Sequence, residues 1–410
     1  MCEKGPWGSL SQRTQILESL QGYGSEVVNG DQRDGGPIWN IKRSAGERGM
    51  MPGFRLAIAG GGTGGHLFPG IAVAKALKTR MEDAKILFVV GRRRMETDIL
   101  SRAGFEAVSI DVEGIKGRGW KKGLPVIFRL PKSLFQSASI IRRFSPSAAL
   151  GVGGYSAGPF CATAKWMGIP TAIHEQNSYP GVTNRLLSRI VDRIFISFDE
   201  SRSCFKKKEP VLTGNPVRQE LFLPRPRPEG SDSFTVLVVG GSQGAQAVNR
   251  LFAEALHALR ERGRTLCVIH QTGKMDYERV VEDYRARGLD GEISPFIADM
   301  ASAYARADIV VSRAGASTIF ELAALGKPSL LIPYPFATNR HQEINAGALV
   351  RKGGAEMMLQ EDLNADRLAD ALTRYMDNRS LLREMGERAR QLSRPNAAKA
   401  IVDQLVEMAL

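Results

Sequence analysis

Cysteine is scarce in this chain. The four that occur, Cys2, Cys161, Cys204 and Cys267, stand far apart among 410 residues. Neither a disulfide framework nor a zinc-ligand spacing can be read from them, and a reducing cytoplasm is the default compartment. A membrane-spanning run is also missing. The stretch from Phe144 to Ala164 carries no charge, yet Pro146, Pro159, Gly151, Gly153, Gly154 and Gly158 make it a poor spanning helix. The first fifty residues lack the apolar core of a signal peptide. They are polar and glycine-rich, with one short amphipathic stretch around Ile16, Leu17 and Leu20. Residues 1–51 are therefore expected to be a disordered or non-native extension, since Met50 and Met51 stand just before the first strong strand.

What is present describes an ordinary globular protein of two or three domains, with 43% hydrophobic and 24% charged residues. Lys and Arg number 56 against 43 Asp and Glu, a formal charge of +13 that raises the question of a polyanionic partner. From Phe54 onward, apolar runs alternate with helical patterns. Candidate strands are Arg55–Ala59, Lys85–Val90, Ala148–Val152, Thr171–His174, Arg193–Ser197, Thr235–Val239, Thr265–His270, Ile309–Ser312 and Ser329–Pro333. Alternation of this kind predicts parallel sheets with crossover helices, and runs without polar alternation predict strands covered on both faces. The pattern also repeats. Leu56-Ala57-Ile58-Ala59-Gly60-Gly61 before a glycine-rich turn recurs as Leu237-Val238-Val239-Gly240-Gly241, which predicts two doubly wound halves. Between them, Pro224–Ser231 reads as a stiff proline-rich linker.

Gly60-Gly61-Gly62-Thr63-Gly64-Gly65-His66 follows the first strand and opens a helix, so its backbone N–H groups can approach an anion at the helix's positive end. Taken formally it is also a dinucleotide fingerprint. That reading wants an acidic residue after the second strand to hold a ribose, and Gly91-Arg92-Arg93-Arg94 stands there instead. NAD is disfavoured, and an NADP-dependent oxidoreductase survives as an outside alternative.

Further along come Gly153-Gly154-Tyr155-Ser156-Ala157-Gly158-Pro159, His174-Glu175-Gln176-Asn177, Gly214-Asn215-Pro216-Val217-Arg218, Gly240–Ala245 and Ser312–Glu321, with Arg340-His341-Gln342 and Asn345-Ala346 after them. In this order they resemble the MurG family, the N-acetylglucosaminyltransferases of peptidoglycan synthesis. The resemblance runs from about Phe54 to the C-terminus and leaves the first fifty residues without a counterpart.

It implies an α/β GT-B glycosyltransferase: two doubly wound Rossmann-like domains facing an interdomain cleft, with no metal and no other cofactor. It implies an acceptor and membrane domain over 52–218, a linker over 219–233, a UDP-sugar domain over 234–390, and a C-terminal helix over 391–410 packing back toward the first domain. The implied partners are UDP-N-acetylglucosamine and a polyprenyl-linked muramyl-pentapeptide. By the same resemblance Ser242 contacts phosphate, Arg218 reaches the nucleotide, Glu321 accepts the ribose hydroxyls and Ile297 reads uracil through its backbone. Ala316, Ser317, Thr318, Ile319 and Phe320 lie beneath sugar and phosphates, and Gln342 holds sugar hydroxyls. Thr63, Gly64, Gly65 and Asn177 line the facing side, with Tyr155 nearby. Each has a plainer alternative when taken alone: a tight turn for the Gly-Gly-Ser sequence and for Gln176 and Asn177, a helix-dipole carboxylate for Glu321, a backbone partner for His66.

An inverting transfer needs a base for the acceptor hydroxyl. His66 is the candidate, since it emerges at the carboxyl edge of the first strand, where doubly wound folds place ligands, and histidine titrates near neutrality. Glu175 is the competing base. Between Gly114 and His174 lie nine basic residues (Lys116, Arg118, Lys121, Lys122, Arg129, Lys132, Arg142, Arg143, Lys165) and no Asp or Glu. Interleaved Trp120, Leu124, Ile127, Phe128, Leu134 and Phe135 point to an anionic membrane surface as partner rather than nucleic acid, for which no recognition motif is present. The alternative is that these apolar residues are core. The expected reaction is transfer to the 4-hydroxyl of the lipid-linked acceptor at the cytoplasmic face of the plasma membrane; transfer to a diacylglycerol lipid is the second enzyme reading.

Overall fold

The computed structural model describes residues 53–410 except 63, 113–119, 224–232 and 242–243, and describes 120–129 by backbone alone. The extension over 1–51 and the proline-rich linker expected over 224–231 lie outside the described residues.

The first half contains strands β1 (Arg55–Ala59), β2 (Lys85–Val90), β3 (Glu106–Ser109), β4 (Ala148–Gly151), β5 (Thr171–Glu175), β6 (Arg193–Ile196) and β7 (Val211–Leu212). Its helices are α1 (Gly64–Arg80), α2 (Arg94–Arg102), α3 (Trp120–Phe144), α4 (Ala157–Trp166) and α5 (Val182–Leu187). The second half contains β8 (Thr235–Val239), β9 (Cys267–Gln271), β10 (Glu292–Ser294), β11 (Ile309–Ser312), β12 (Ser329–Leu331) and β13 (Ala355–Met357). Its helices are α6 (Gln246–Glu261), α7 (Tyr277–Ala286), α8 (Met300–Arg306), α9 (Ala316–Leu325), α10 (His341–Val350), α11 (Ala365–Asp377), α12 (Arg379–Arg390) and α13 (Ala397–Ala409).

All strand pairs are parallel, in the orders β3-β2-β1-β4-β5-β6-β7 and β10-β9-β8-β11-β12-β13. The strands read from apolar runs are the interior ones, and β1 shows why: Leu56, Ala57, Ile58 and Ala59 are all inaccessible, covered on both faces. The four strands the sequence reading missed, β3, β7, β10 and β13, are the four sheet edges. An edge strand is paired on one side only and here runs two to four residues, so it carries no continuous apolar signal. Boundaries also move: Thr265–His270 becomes Cys267–Gln271, and Ser329–Pro333 ends at Leu331 because Pro333 has no N–H for a ladder.

The last helix belongs to the first half's core. Ile401, Val402, Leu405 and Val406 of α13 are buried with Leu56, Ile58 and Leu67. Each is worth about 1.5–3 kcal/mol on burial. Arg80 pairs with Asp403, and Arg193 donates to Gln404 at 2.7 Å, so the C-terminal segment ties the two halves together.

Candidate active site

The glycine turn after β1 is held by a carboxylate the motif does not contain. Glu96 is 1% exposed and accepts from the N–H of Gly62 at 2.6 Å and of Gly91 at 3.2 Å, while Arg93 donates to the Gly62 carbonyl. A dinucleotide pyrophosphate would meet the Gly62 N–H already occupied by an anion. The turn is therefore not free to bind a nicotinamide dinucleotide, which disfavours the oxidoreductase alternative.

His66 stands in the first turn of α1, beyond the carboxyl end of β1. Its Nδ1 lies 3.0 Å from Gln176 Oε1. The room for the ring comes from Gly153, whose φ of 92° favours glycine and whose Cβ, if it had one, would sit 2.9 Å from His66 Nδ1. Gly154, at φ 84°, passes so close to the Gly61 carbonyl that no side chain fits. Tyr155 beside it is 42% exposed.

Glu175, the competing base, is differently placed. It is 2% exposed, and its oxygens accept from Asn177 N and Nδ2, Gly181 N, and Asn184 Nδ2 at 2.9–3.3 Å. Four N–H donors use the lone pairs a proton would need, so its geometry is that of an organiser of the Asn177 turn.

Across the cleft, Arg218 and Glu321 form an ion pair, with Arg218 Nη2 and Nε 2.9 and 3.2 Å from Glu321 Oε1. Tyr304 donates to Oε2 at 3.1 Å, and burial beside this carboxylate raises the phenol's pKa well above its ordinary value. Arg218 also lies over the Phe68 ring at 4.9 Å. A carboxylate has about four acceptor sites, of which Arg218 fills two and Tyr304 one, so one stays open and others open where Arg218 turns away. Ile297 donates its backbone N–H to Gln271 Oε1 at 3.0 Å, which leaves its carbonyl as the group open to a base. Ile319 and Phe320 are buried in the core, so only their backbones can face a ligand. Ala316, Ser317 and Thr318 open α9 without a side-chain cap, which leaves N–H groups at a positive helix end. Gln342 accepts from the Tyr334 N–H at 2.9 Å with its Oε1. Thr63 and Ser242 lie outside the described residues.

The two sides meet. Ser317 Oγ donates to the carbonyl of Gly65, next to Gly64, at 3.4 Å. Asn345, fully buried on α10, accepts from Ser178 N and Oγ at 2.9 and 2.7 Å and donates to Asn177 Oδ1 at 3.3 Å. A cavity of about 190 Å³ is walled by His66, Gly153, Glu175 and Asn177 from one half and Thr338, Asn339 and His341 from the other. None of Arg218, Ile297, Glu321 or Gln342 lines it, so the expected donor residues lie apart from this cavity. Glu96, Gln271 and Tyr304 were not singled out from sequence. A polar residue closing a buried strand was the available signal for Gln271, and Glu96 and Tyr304 carried none.

Two parallel-sheet α/β domains facing one cleft define the class as a GT-B glycosyltransferase fold. The chain matches the glycosyltransferase family 28 N-terminal domain over residues 56–196 and its C-terminal domain over 235–401. A protein of Syntrophus aciditrophicus, named UDP-N-acetylglucosamine--N-acetylmuramyl-(pentapeptide) pyrophosphoryl-undecaprenol N-acetylglucosamine transferase, is 45% identical over 86% of this chain and 98% of its own length. One of the same name from Myxococcus xanthus is 43% identical over 86% and 93%. The crystal structure of Acinetobacter baumannii MurG superposes with a TM-score of 0.71 at 33% identity, covering 87% of this chain and all of that one. The chain belongs to glycosyltransferase family 28.

Proposed function

We propose that the chain transfers N-acetylglucosamine from its UDP donor to the 4-hydroxyl of undecaprenyl-pyrophosphoryl-N-acetylmuramyl-pentapeptide, inverting the anomeric centre. The observation that carries this is the match along nearly the full length of relatives bearing that activity in their names. The geometry agrees with it. His66 takes the proton as the acceptor oxygen forms its bond to the anomeric carbon, and UDP leaves with the electron pair of the broken bond. Helix N-termini and Arg218 offset the charge on the departing diphosphate. Asn177, Gly64 and Gly65 contact the acceptor side, with Thr63; Glu321 holds ribose, the Ile297 carbonyl accepts a hydrogen bond from uracil N3–H, Ser242 and the first amides of α9 receive phosphate, and Gln342 Nε2 remains for sugar hydroxyls. The reaction is a step of peptidoglycan synthesis, and through it of cell-wall growth, shape and division.

The enzyme works as a peripheral protein on the cytoplasmic face of the plasma membrane, against anionic lipid. Among the described residues, no helix is long and apolar enough to cross a bilayer. On α3, Leu130, Leu134 and Phe135 are exposed, Phe135 at 73%, while Ser133, Ser137 and Ile141 turn inward. Val182, Leu186 and Ile190 are exposed as well, and Val182 lines the cavity beside His66. Among the basic residues whose side chains are described, Lys132 pairs with Asp111 and Lys165 with Asp192, while Arg142 and Arg143 near the end of α3 are exposed. Exposed apolar side chains beside exposed arginines on one helix suit an anionic lipid surface.

Purified enzyme, labelled UDP-N-acetylglucosamine and the lipid-linked muramyl-pentapeptide in mixed vesicles test the proposal. The expected product is a β-1,4-linked disaccharide on the polyprenyl carrier, with no label entering diacylglycerol. Transfer to diacylglycerol alone would overturn it.

A further inference from the structure

The proposed chemistry leaves open which nitrogen of His66 holds the proton at rest. Gln176 is 1% exposed, and its Nε2 has three acceptors: Val152 O at 3.0 Å, His174 Nδ1 at 3.1 Å and His174 O at 3.2 Å. Turned over, its carbonyl would face two backbone carbonyls, so the amide has one tenable orientation. Its Oε1 therefore points at His66 Nδ1, and an oxygen there requires an N–H.

The orientation is locked from behind. His174 lies 3.2 Å from the Gly214 carbonyl through Nε2, which makes Nε2 the protonated nitrogen and Nδ1 the acceptor for Gln176. Burial lowers the His174 pKa to about 4, so this ring is neutral at working pH and cannot present a second N–H to the amide.

From this chain of hydrogen bonds we infer that Gln176 is a positioning residue that holds His66 as its Nδ1–H tautomer, leaving Nε2 as the basic atom. The inference rests on the reading of His66 as the base only for its kinetic consequence; the tautomer stands on geometry. Gln176 holds the ring as the carboxylate does in a serine-protease triad, but without adding a negative charge. The titratable and charged groups around the ring are His174, Glu175 and Tyr179 on and after β5, His341 at the start of α10, and Arg93 and Glu96 across the glycine turn. Glu175 and Glu96 are each bonded to backbone N–H groups, so neither carboxylate replaces Gln176.

The test is ¹⁵N spectroscopy of ring-labelled histidine at pH 8, with the His66 signals assigned by their loss in His66→Asn. Wild-type protein should show Nδ1 protonated and Nε2 not. Gln176→Leu should shift the population toward Nε2–H, the form an unconstrained histidine side chain prefers. A wild-type ring protonated at Nε2, or a ring in Gln176→Leu that keeps Nδ1–H, overturns the inference. Gln176→Glu, which retains the acceptor and adds charge, should keep the Nδ1–H form and move the acidic limb of the kcat profile up by about one pH unit, because a carboxylate favours the imidazolium. If the ring spectrum responds as expected while that limb stays in place, Gln176 holds the ring as inferred and His66 is not the base.

Discussion

Removal of the Glu321 carboxylate probes two properties at once, and the structure separates them. In the ligand-free protein the carboxylate satisfies Tyr304, 2% exposed, and Arg218, whose side chain is about a quarter exposed. Glu321→Ala leaves the Tyr304 hydroxyl buried without an acceptor, at about 1–3 kcal/mol. Arg218 can turn to water and keeps its contact with Phe68, so its loss is well below the 3–5 kcal/mol of a sealed ion pair, about 1 kcal/mol. Urea unfolding should report a loss of about 2–4 kcal/mol. Catalysis should lose a similar amount for a different reason: two ribose hydroxyls forfeit a charged acceptor, about 2–4 kcal/mol in kcat/KM, or roughly 30-fold to 900-fold. The two effects part when the donor changes. With a 2′,3′-dideoxyuridine donor the wild type should already have lost most of this factor, and Glu321→Ala should lose little more. Tyr304→Phe is the control; it should reduce stability by about 1 kcal/mol while keeping the discrimination between ribose and dideoxyribose. An equal loss from Glu321→Ala with both donors would refute ribose recognition and leave Glu321 as a partner of Arg218 and Tyr304 alone.

Three further outcomes are expected. His66→Ala should lower kcat by about a hundredfold to ten-thousandfold, the usual contribution of a positioned acid–base group, while calorimetric binding of UDP changes little; a fall below tenfold with the acidic limb intact would remove His66 as the base. Burial lowers His174 to about 4 and His270 to about 3, so the folded protein keeps both neutral while the unfolded chain takes protons below about 6.5. Stability should therefore fall as pH drops from 6.5 toward 4, by about 1.4 kcal/mol per pH unit for each histidine, and a urea midpoint flat between pH 6 and 5 would contradict this. Replacing Lys116, Arg118, Lys121 and Lys122 with glutamine should weaken sedimentation with anionic vesicles and remove most of its salt dependence, with activity on a water-soluble acceptor preserved; unchanged vesicle binding would make the segment an ordinary solvated surface.

Much of this protein is written locally in its chain. An interior strand such as β8, Thr235–Val239, is a run of apolar residues because both its faces are covered, and a glycine turn such as Gly60–Gly65 exists where backbone must approach an anion. Those features need only near neighbours, so the two doubly wound halves, the order of the site motifs and the position of His66 beyond β1 could be read without coordinates. The edge strands could not, because pairing on one side demands no continuous apolar run. Nor could the partnerships that give the site residues their states. Glu321 meets Arg218 from 103 positions away, His66 meets Gln176 from 110, and Glu96 reaches back 34 to the Gly62 N–H. A carboxylate in sequence is equally a base, a ligand or a support for a turn; which it becomes depends on how many donors surround it. Four donors made Glu175 a support, and a fixed amide set the tautomer of His66. Residue type is a property of the chain, whereas hydrogen-bond partners and burial exist only once distant segments are packed together.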